Sequence, residues 1–298
     1  MTPSPGSSGS PASSFATPSS VAAVLAIAAA AEAADQVAPL DEAMILALQH
    51  RPETLRVDVR PGGFALLNGS EVSVVVAPEA RGAGLGSALL ATALTWARPD
   101  SDATPLTAWM HGDSPAARAL AARAGFRAER ELWVMRRHSD VAEPIAEVEA
   151  PAGVHLRGFA PGDEAEIVRV NAAAFSWHPE QGAMDEANLR ERMAQPWFAA
   201  ADLIEAWEGE RLLGFHWTKQ HSPTLGEIYV VGVDPEAQGR GLGRVLTLAG
   251  LHHMAGLSEV HLYVESDNTP AVRLYESLGF THAATDTHVQ FSRSASPE

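Results

Sequence analysis

Apolar positions follow two rhythms along the chain, and one succession of them occurs twice. Residues 71–80, "EVSVVVAPEA", are a short β-branched apolar run stopped by proline, which predicts a buried strand. Residues 81–97, "RGAGLGSALLATALTWA", put glycine on three alternate positions and then space apolar side chains as a helix does. The second half repeats the series in "EIYVVGVDPEA" (227–237) and "QGRGLGRVLTLAGLHHMA" (238–255). Each half continues with another strand, "PLTAWMH" (105–111) or "EVHLYVE" (259–265). Each then closes on a short helix ending in Gly-Phe, "SPAARALAARAGF" (114–126) or "NTPAVRLYESLGF" (268–280). This order predicts a duplicated α/β domain.

Length and composition fit that picture. A chain of 298 residues has room for two ordinary cores. Residues 1–20, "MTPSPGSSGSPASSFATPSS", hold little to bury and predict a disordered tail before a fold that begins near residue 21. The acidic, proline-interrupted stretch "HSDVAEPIAEVEAPA" (138–152) predicts the interdomain linker. The expected division is an N-terminal domain over 21–138, a linker over 139–152 and a C-terminal domain over 153–298. Residues 21–34, "VAAVLAIAAAAEAA", read as a helix, because no Lys or Arg precedes Arg51 to form the basic region of an export signal. The run also looks too short and alanine-rich to span a bilayer.

Charge and cysteine content narrow the partners. Asp and Glu number 37 against 21 Lys and Arg, a net charge of -16, which disfavours a nucleic-acid backbone as bulk partner. Any anion must be held by a local site. The chain has no cysteine, which is compatible with a reducing cytoplasm. A cytoplasmic monomer without nucleic-acid or membrane partners is expected.

The glycine turn is the first candidate for chemistry. Glycines let backbone approach a ligand, and the following helix N-terminus offers unpaired N–H groups to an anion such as a pyrophosphate. Neither copy has the Gly-Lys-Ser/Thr of a Walker loop, and neither fits the glycine spacing of a dinucleotide fingerprint. A turn that merely tolerates positive φ stays open as the plain alternative. Metal chemistry is not expected among the twelve histidines, since no His-Glu-x-x-His spacing occurs and His252 and His253 are helix neighbours that point apart.

The pattern Arg81, Gly84, Gly86 and its copy Gln238, Gly241, Gly243 resembles the acetyl-CoA loop of the GCN5-related N-acetyltransferases (GNAT), and "NTPAVRLYESLGF" resembles that family's last helix. The resemblance implies two tandem α/β domains, each a mixed, mostly antiparallel sheet flanked by helices, with acetyl-CoA as co-substrate. The stretches 171–182, 212–221, 225–243 and 262–280 are most similar to tandem-domain members that acetylate the cysteinyl amine of cysteinyl-glucosaminyl-inositol, a small thiol-sugar. Another amine acceptor on the same scaffold, or a non-catalytic acetyl-CoA-binding module, are the competing readings.

That reaction needs a base, carbonyl polarisation, an acid and an acceptor site. By resemblance the base is Glu227, at the start of the central strand, against the alternative of an exposed carboxylate at a strand end. Backbone N–H groups of Val231, Gly232 and Val233 would polarise the thioester. One more residue separates Glu227 from Pro235 than separates Glu71 from Pro78, which predicts a β-bulge beside Gly232. The acid for the leaving thiolate would be Tyr275, against the alternative of a core aromatic on an amphipathic helix. Its counterpart "RALAARAGF" has no tyrosine, so the N-terminal domain is expected to be catalytically silent.

The family's cofactor contacts carry over to Gln238, Gly239, Arg240, Gly241, Leu242, Gly243 and Arg244, and to Asn268, Thr269, Pro270, Ala271, Val272 and Arg273. In the first half Val74, Val75, Val76, Gly82, Ala83, Gly84, Leu85, Gly86 and Ser87 correspond, and there a second, non-reacting acetyl-CoA is implied. Acceptor contacts carry over to Glu42, Glu180, Lys219, Glu227 and Tyr263. Lys219 stands out on composition too, as the only lysine in the chain. Asp41 leaves the register of Glu42 open by one residue. Trp177 and His178, just before Glu180, could cover a sugar or pack in a core.

Overall fold

The computed structural model describes residues 14–96, 104–112, 114–140, 143–176 and 181–294. It divides into two compact units, one drawn from the chain up to Leu132 together with residues from Ala284 on, the other from Trp133 to Ala283. Each is a mixed, mostly antiparallel sheet flanked by helices, as the family resemblance implies.

In the first unit β1 (Ser14–Phe15), β2 (Arg56–Arg60), β3 (Gly63–Asn68), β4 (Glu71–Val76) and β5 (Leu106–Met110) lie side by side. β2, β3 and β4 form an antiparallel meander, and β5 turns parallel to β4. The side-chain period of two sorts β3: Phe64 and Leu66 enter a core with α1 (Pro18–Asp35) and α2 (Glu42–His50), while Ala65 and Leu67 enter another with α3 (Leu85–Trp96) and α4 (Pro115–Arg123). Both faces are therefore buried.

Helix α1 runs past the expected 21–34 at both ends. Thr17 and Ser20 form a capping box, Pro18 sits in the first turn, and Gln36 ends the helix in the left-handed conformation. At 18 residues it reaches the length and apolarity that could cross a bilayer, contrary to the expectation from sequence. In the fold Val24, Ala28 and Ala31 recur on one helical face and are buried in the core of the first unit.

The second unit places β6 (Arg127–His138, from Trp133 on), β11 (Glu259–Glu265), β10 (Leu225–Val233), β9 (Arg211–Gln220), β8 (Leu203–Glu208) and β7 (His155–Gly158) in that order. Helices α5 (Glu164–Ala174) and α6 (Glu186–Met193) cover one face through Ile167, Val170, Leu189, Phe215 and Trp217. Helix α7 (Leu242–His253) covers the other through Leu246 and Leu251. Helix α8 (Thr269–Glu276) follows β11. Residues 143–150, within the expected linker, take no regular secondary structure.

The closing strands are exchanged in sequence. β12 (Thr281–Arg293) leaves the second unit at Ala284 and pairs antiparallel with β5, Val289 opposite Met110 and Arg293 opposite Leu106. Val289 and Phe291 thereby complete the core under α3 and α4. β6, continuous with the first half, supplies the strand beside β11.

Candidate active site

The site is built on β10, where the ladder changes partners. Leu225 to Ile228 pair with both neighbours, antiparallel to β9 and parallel to β11. Beyond Ile228 the recorded pairing continues on the β9 side only, with Val231 opposite His216, Gly232 opposite Phe215 and Val233 opposite Gly214. Where the two strands part, β10 loses its ladder partner on the β11 side.

The bulge is present, but it lies between Ile228 and Val230 rather than beside Gly232. Tyr229 is the extra residue. Its ring meets Trp197 at 5.2 Å and Trp217 at 5.3 Å, and its hydroxyl takes a hydrogen bond from Arg192. Tyr229 and Val230 consequently both pack on the α5 and α6 face, which an unbulged strand cannot achieve with successive residues. Gly232 stays in the regular ladder, and packing accounts for its lack of a side chain: a Cβ there would stand 3.0 Å from the Phe215 ring and 3.4 Å from that of Phe175. The equivalent β3–β4 pair of the first unit runs without a shift.

Three neighbouring strands bring Lys219, Glu227 and His261 into one row, since Glu227 is in register with Lys219 on β9 and with His261 on β11. Glu227 is buried, 7 % exposed. Its Oε2 lies 2.6 Å from His221 Nε2 and 3.7 Å from His261 Nε2. Burial would raise this carboxyl, but the His221 hydrogen bond and the electrostatic influence of His261, His221 and Lys219 bring it below the usual glutamate value. Tyr263, two residues past His261 and so on the same face, meets it edge-on at 5.6 Å and is well exposed. Lys219 Nζ stands 4.6 Å over Trp197 and 5.1 Å over Tyr229.

His221 directly follows β9 in a tight turn that fixes its place. Its N–H donates to Leu225 O at 3.0 Å, and Ser222 Oγ accepts from the N–H groups of Thr224 and Leu225. A polar cavity of about 610 Å³ opens at this turn, lined by Arg136, His138, Ser222, Thr224 and Glu259 among others.

His221, Glu227 and His261 bring three donor atoms within 4.8 Å of one another, the composition of a metal site that the sequence reading did not expect. The donor chemistry favours hydrogen bonding instead. A metal on His261 Nε2 would force the ring proton onto Nδ1, which is buried without a partner, whereas metal-bound imidazoles donate that proton to an acceptor. Neither histidine was singled out from sequence, although period-two alternation relates His221 to Lys219 and His261 to Tyr263. His252 and His253 do point apart, to Ala146 O and Asp202 Oδ1.

The glycine loop leads from β10 into α7. Gly239 and Gly241 adopt φ of 77° and 79°, as Gly82 and Gly84 do in the first unit at 80° and 83°. No atom lies within 4 Å of a Cβ placed at these four positions, so φ rather than crowding requires glycine. Gly241 caps α7 without any side-chain hydrogen bond, which leaves the first N–H groups to an external acceptor. Arg240 pairs with Glu208 at 2.7 Å, and Arg244 donates to Ser277 Oγ at 3.1 Å. Asp234 braces the loop, accepting from Arg169, Arg211 and the Glu236 N–H.

The other expected residues have simpler settings. Asn268 caps α8 through a hydrogen bond from Ala271 N–H at 3.3 Å, with Thr269 to Arg273 in the helix behind it. Tyr275 packs against Phe280 in the core under α8, and burial pushes its phenol up to about 12. Asp41 caps α2, accepting from Met44 N–H at 2.7 Å, and Glu42 occupies the first turn in the first unit. Trp177, His178 and Glu180 lie outside the described residues.

Glu227 is thus buried on β10, and the glycine loop that follows leads into a helix whose start has no side-chain cap. The profile of the acetyltransferase (GNAT) family matches residues 54–126 and again 166–280, and the chain belongs to that family. It is 56 % identical to the mycothiol acetyltransferase of a Nocardioides species, over 88 % of this chain and 94 % of that one. It is 50 % identical to the mycothiol acetyltransferase of Actinosynnema mirum, over 86 % of this chain and 90 % of that one. Among solved structures, a tandem GNAT protein from the clavulanic acid biosynthesis pathway shares the fold at a TM-score of 0.69 and 24 % identity, covering 94 % of this chain and 96 % of that one.

Proposed function

We infer that the protein is a mycothiol acetyltransferase: it moves the acetyl group of acetyl-CoA to the cysteinyl amine of cysteinyl-glucosaminyl-inositol, giving mycothiol and CoA. The observation that carries the chemistry is Glu227, buried and ionised one residue ahead of the bulge at which β10 parts from β11. Near-full-length identity to relatives of that name supports the acceptor.

An α-amino group has an ordinary pKa of about 7.7–8.0, so at neutral pH it needs only a modest base. Glu227 takes the proton, and the nitrogen lone pair attacks the thioester carbonyl. The N–H groups of Val231, Gly232 and Val233 stabilise the developing oxyanion. The C–S bond then breaks and Tyr275, whose phenol stays protonated, gives its proton to the thiolate.

The uncapped start of α7 with Gln238 to Arg244, and the α8 start with Asn268 to Arg273, hold the pyrophosphate end of acetyl-CoA. Lys219 and Tyr263 contact the acceptor. The first unit keeps the glycine loop, Gly82 to Ser87, and the strand residues Val74 to Val76, so it holds a second acetyl-CoA. Without a tyrosine in α4 it does not react.

The test is turnover with acetyl-CoA, comparing cysteinyl-glucosaminyl-inositol with simple amines and aminoglycosides, followed by mass analysis. Selective acetylation of the cysteinyl amine is expected. Equal rates across the amines would withdraw the acceptor and leave a broader amine acetyltransferase.

A further inference from the structure

The mechanism asks one carboxylate to be buried, ionised and aimed, and burial by itself opposes ionisation. An isolated carboxylate deprived of water takes up a proton. Glu227 escapes this because two imidazoles reach the same oxygen. His221 Nε2 is 2.6 Å from Oε2, within hydrogen-bond range, and His261 Nε2 is 3.7 Å from it. The two rings stack at 5.3 Å with 24° between their planes, and each turns its Nε2 toward Glu227 Oε2.

The tautomers follow from the surroundings. A carboxylate only accepts, so the 2.6 Å contact places a proton on His221 Nε2. His261 Nδ1 is buried with no hydrogen-bond partner. A proton there would be a buried orphan donor, so it resides on Nε2, facing Glu227. The charged and titratable groups facing the carboxyl are Lys219 and His221 from β9 and its turn, and His261 from β11.

We propose that His221 and His261 are positioning residues for acetyl transfer, holding Glu227 Oε2 with a stacked pair of imidazoles so that Oε1 is left to take the proton of the acceptor amine. This rests on the reading of Glu227 as the base. In the step the amine N–H bond breaks, the Oε1–H bond forms, and the electron pair remains on nitrogen for attack at the thioester carbon. Glu227 returns the proton to water after the product leaves. His221 makes the hydrogen bond and dominates the clamp, and its side chain is 34 % exposed at the end of a strand, so replacing it opens no core cavity.

The test compares His221→Leu, which removes the donor, with His221→Gln, which can return an N–H to the place of Nε2. Glu227 is followed by carbon NMR of its side-chain carboxyl, identified by its loss in Glu227→Gln, alongside kcat, KM and the pH profile. In His221→Leu the carboxyl midpoint is expected to rise by about one pH unit or more. The same variant is expected to lose kcat by about 10- to 100-fold with KM for acetyl-CoA unchanged, and His221→Gln to restore most of both. His261→Leu is expected to move the midpoint in the same direction by less.

An unmoved midpoint in folded, acetyl-CoA-binding His221→Leu, with Glu227→Gln inactive, overturns the clamp and leaves Glu227 as base. Parental activity in Glu227→Gln overturns the base reading, and with it the clamp's role in transfer. A loss of kcat in His221→Leu without any shift of the midpoint marks His221 as merely structural and also overturns the clamp.

Discussion

The imidazole of His216 lies against Gly250: a Cβ on that glycine would stand 2.1 Å from His216 Nε2 and 2.2 Å from Cε1. Glycine inside a helix costs about 1 kcal/mol relative to alanine, yet α7 carries it facing the sheet. The ring has taken the space of a side chain. Burial holds His216 neutral, at about 3, so it serves as a core residue.

Gly250→Ala should therefore destabilise the protein although alanine is the better helix former. Overpacking a rigid contact costs about 1–3 kcal/mol, above the propensity gain. Urea unfolding would show a lower midpoint, and adding His216→Ala should recover part of the loss. A more stable Gly250→Ala would mean that the ring moves aside freely.

Tyr275→Phe keeps the packing against Phe280 and removes only the hydroxyl. It should lower kcat by about 100-fold while KM for acetyl-CoA stays put. Since the parent phenol holds its proton to about 12, the parent rate should show no loss from this group through the ordinary alkaline range. Parental turnover in the variant would return Tyr275 to a purely structural role.

Two carboxyls of the second unit tilt stability in opposite directions with pH. Burial raises Asp234, but hydrogen bonds from Arg169, the Glu236 N–H and Arg211 win and lower it to about 2. Its contribution is present above the unfolded value and disappears as pH falls toward 2. Asp234→Asn should thus lower Tm at pH 7, by about 1–2 kcal/mol of stability after solvent screening, and converge with the parent in acid.

Glu205 behaves in the reverse sense. Burial beside Asp163 pushes it up to about 7, despite hydrogen bonding from Trp207 and the charge of Arg157. A raised carboxyl favours folding below its unfolded value and loses that contribution as pH rises through about 7. Glu205→Gln should match the parent near pH 5 and exceed it at pH 8 by about 1–2 kcal/mol. Parallel Tm profiles of parent and variant would refute this.

A chain ended at Ala283 removes β12 from β5 and takes Val289 and Phe291 out of the first unit's core. Such loss should cost about 5 kcal/mol or more and expose a strand edge open to aggregation. Thermal unfolding and light scattering would report both. An unchanged Tm would show that the last strand contributes little.

The sequence determined what local chemistry determines. Runs of β-branched residues, glycines at left-handed turns and helical spacing are properties of neighbouring residues, so β4, β10, α3 and α7 and their repetition were legible without coordinates. Counting to Pro235 foresaw an extra residue in β10, because a bulge is one added residue. Its position was decided by the fit of the Tyr229 ring among Trp197, Trp217 and Arg192, residues far from it in sequence. Likewise, Glu227 carried a recognisable motif, but His221 and His261 meet it only because β9 and β11 flank β10 in one register. The exchange of closing strands also belonged to tertiary structure, since a strand's sequence specifies which face is buried and not which edge it joins.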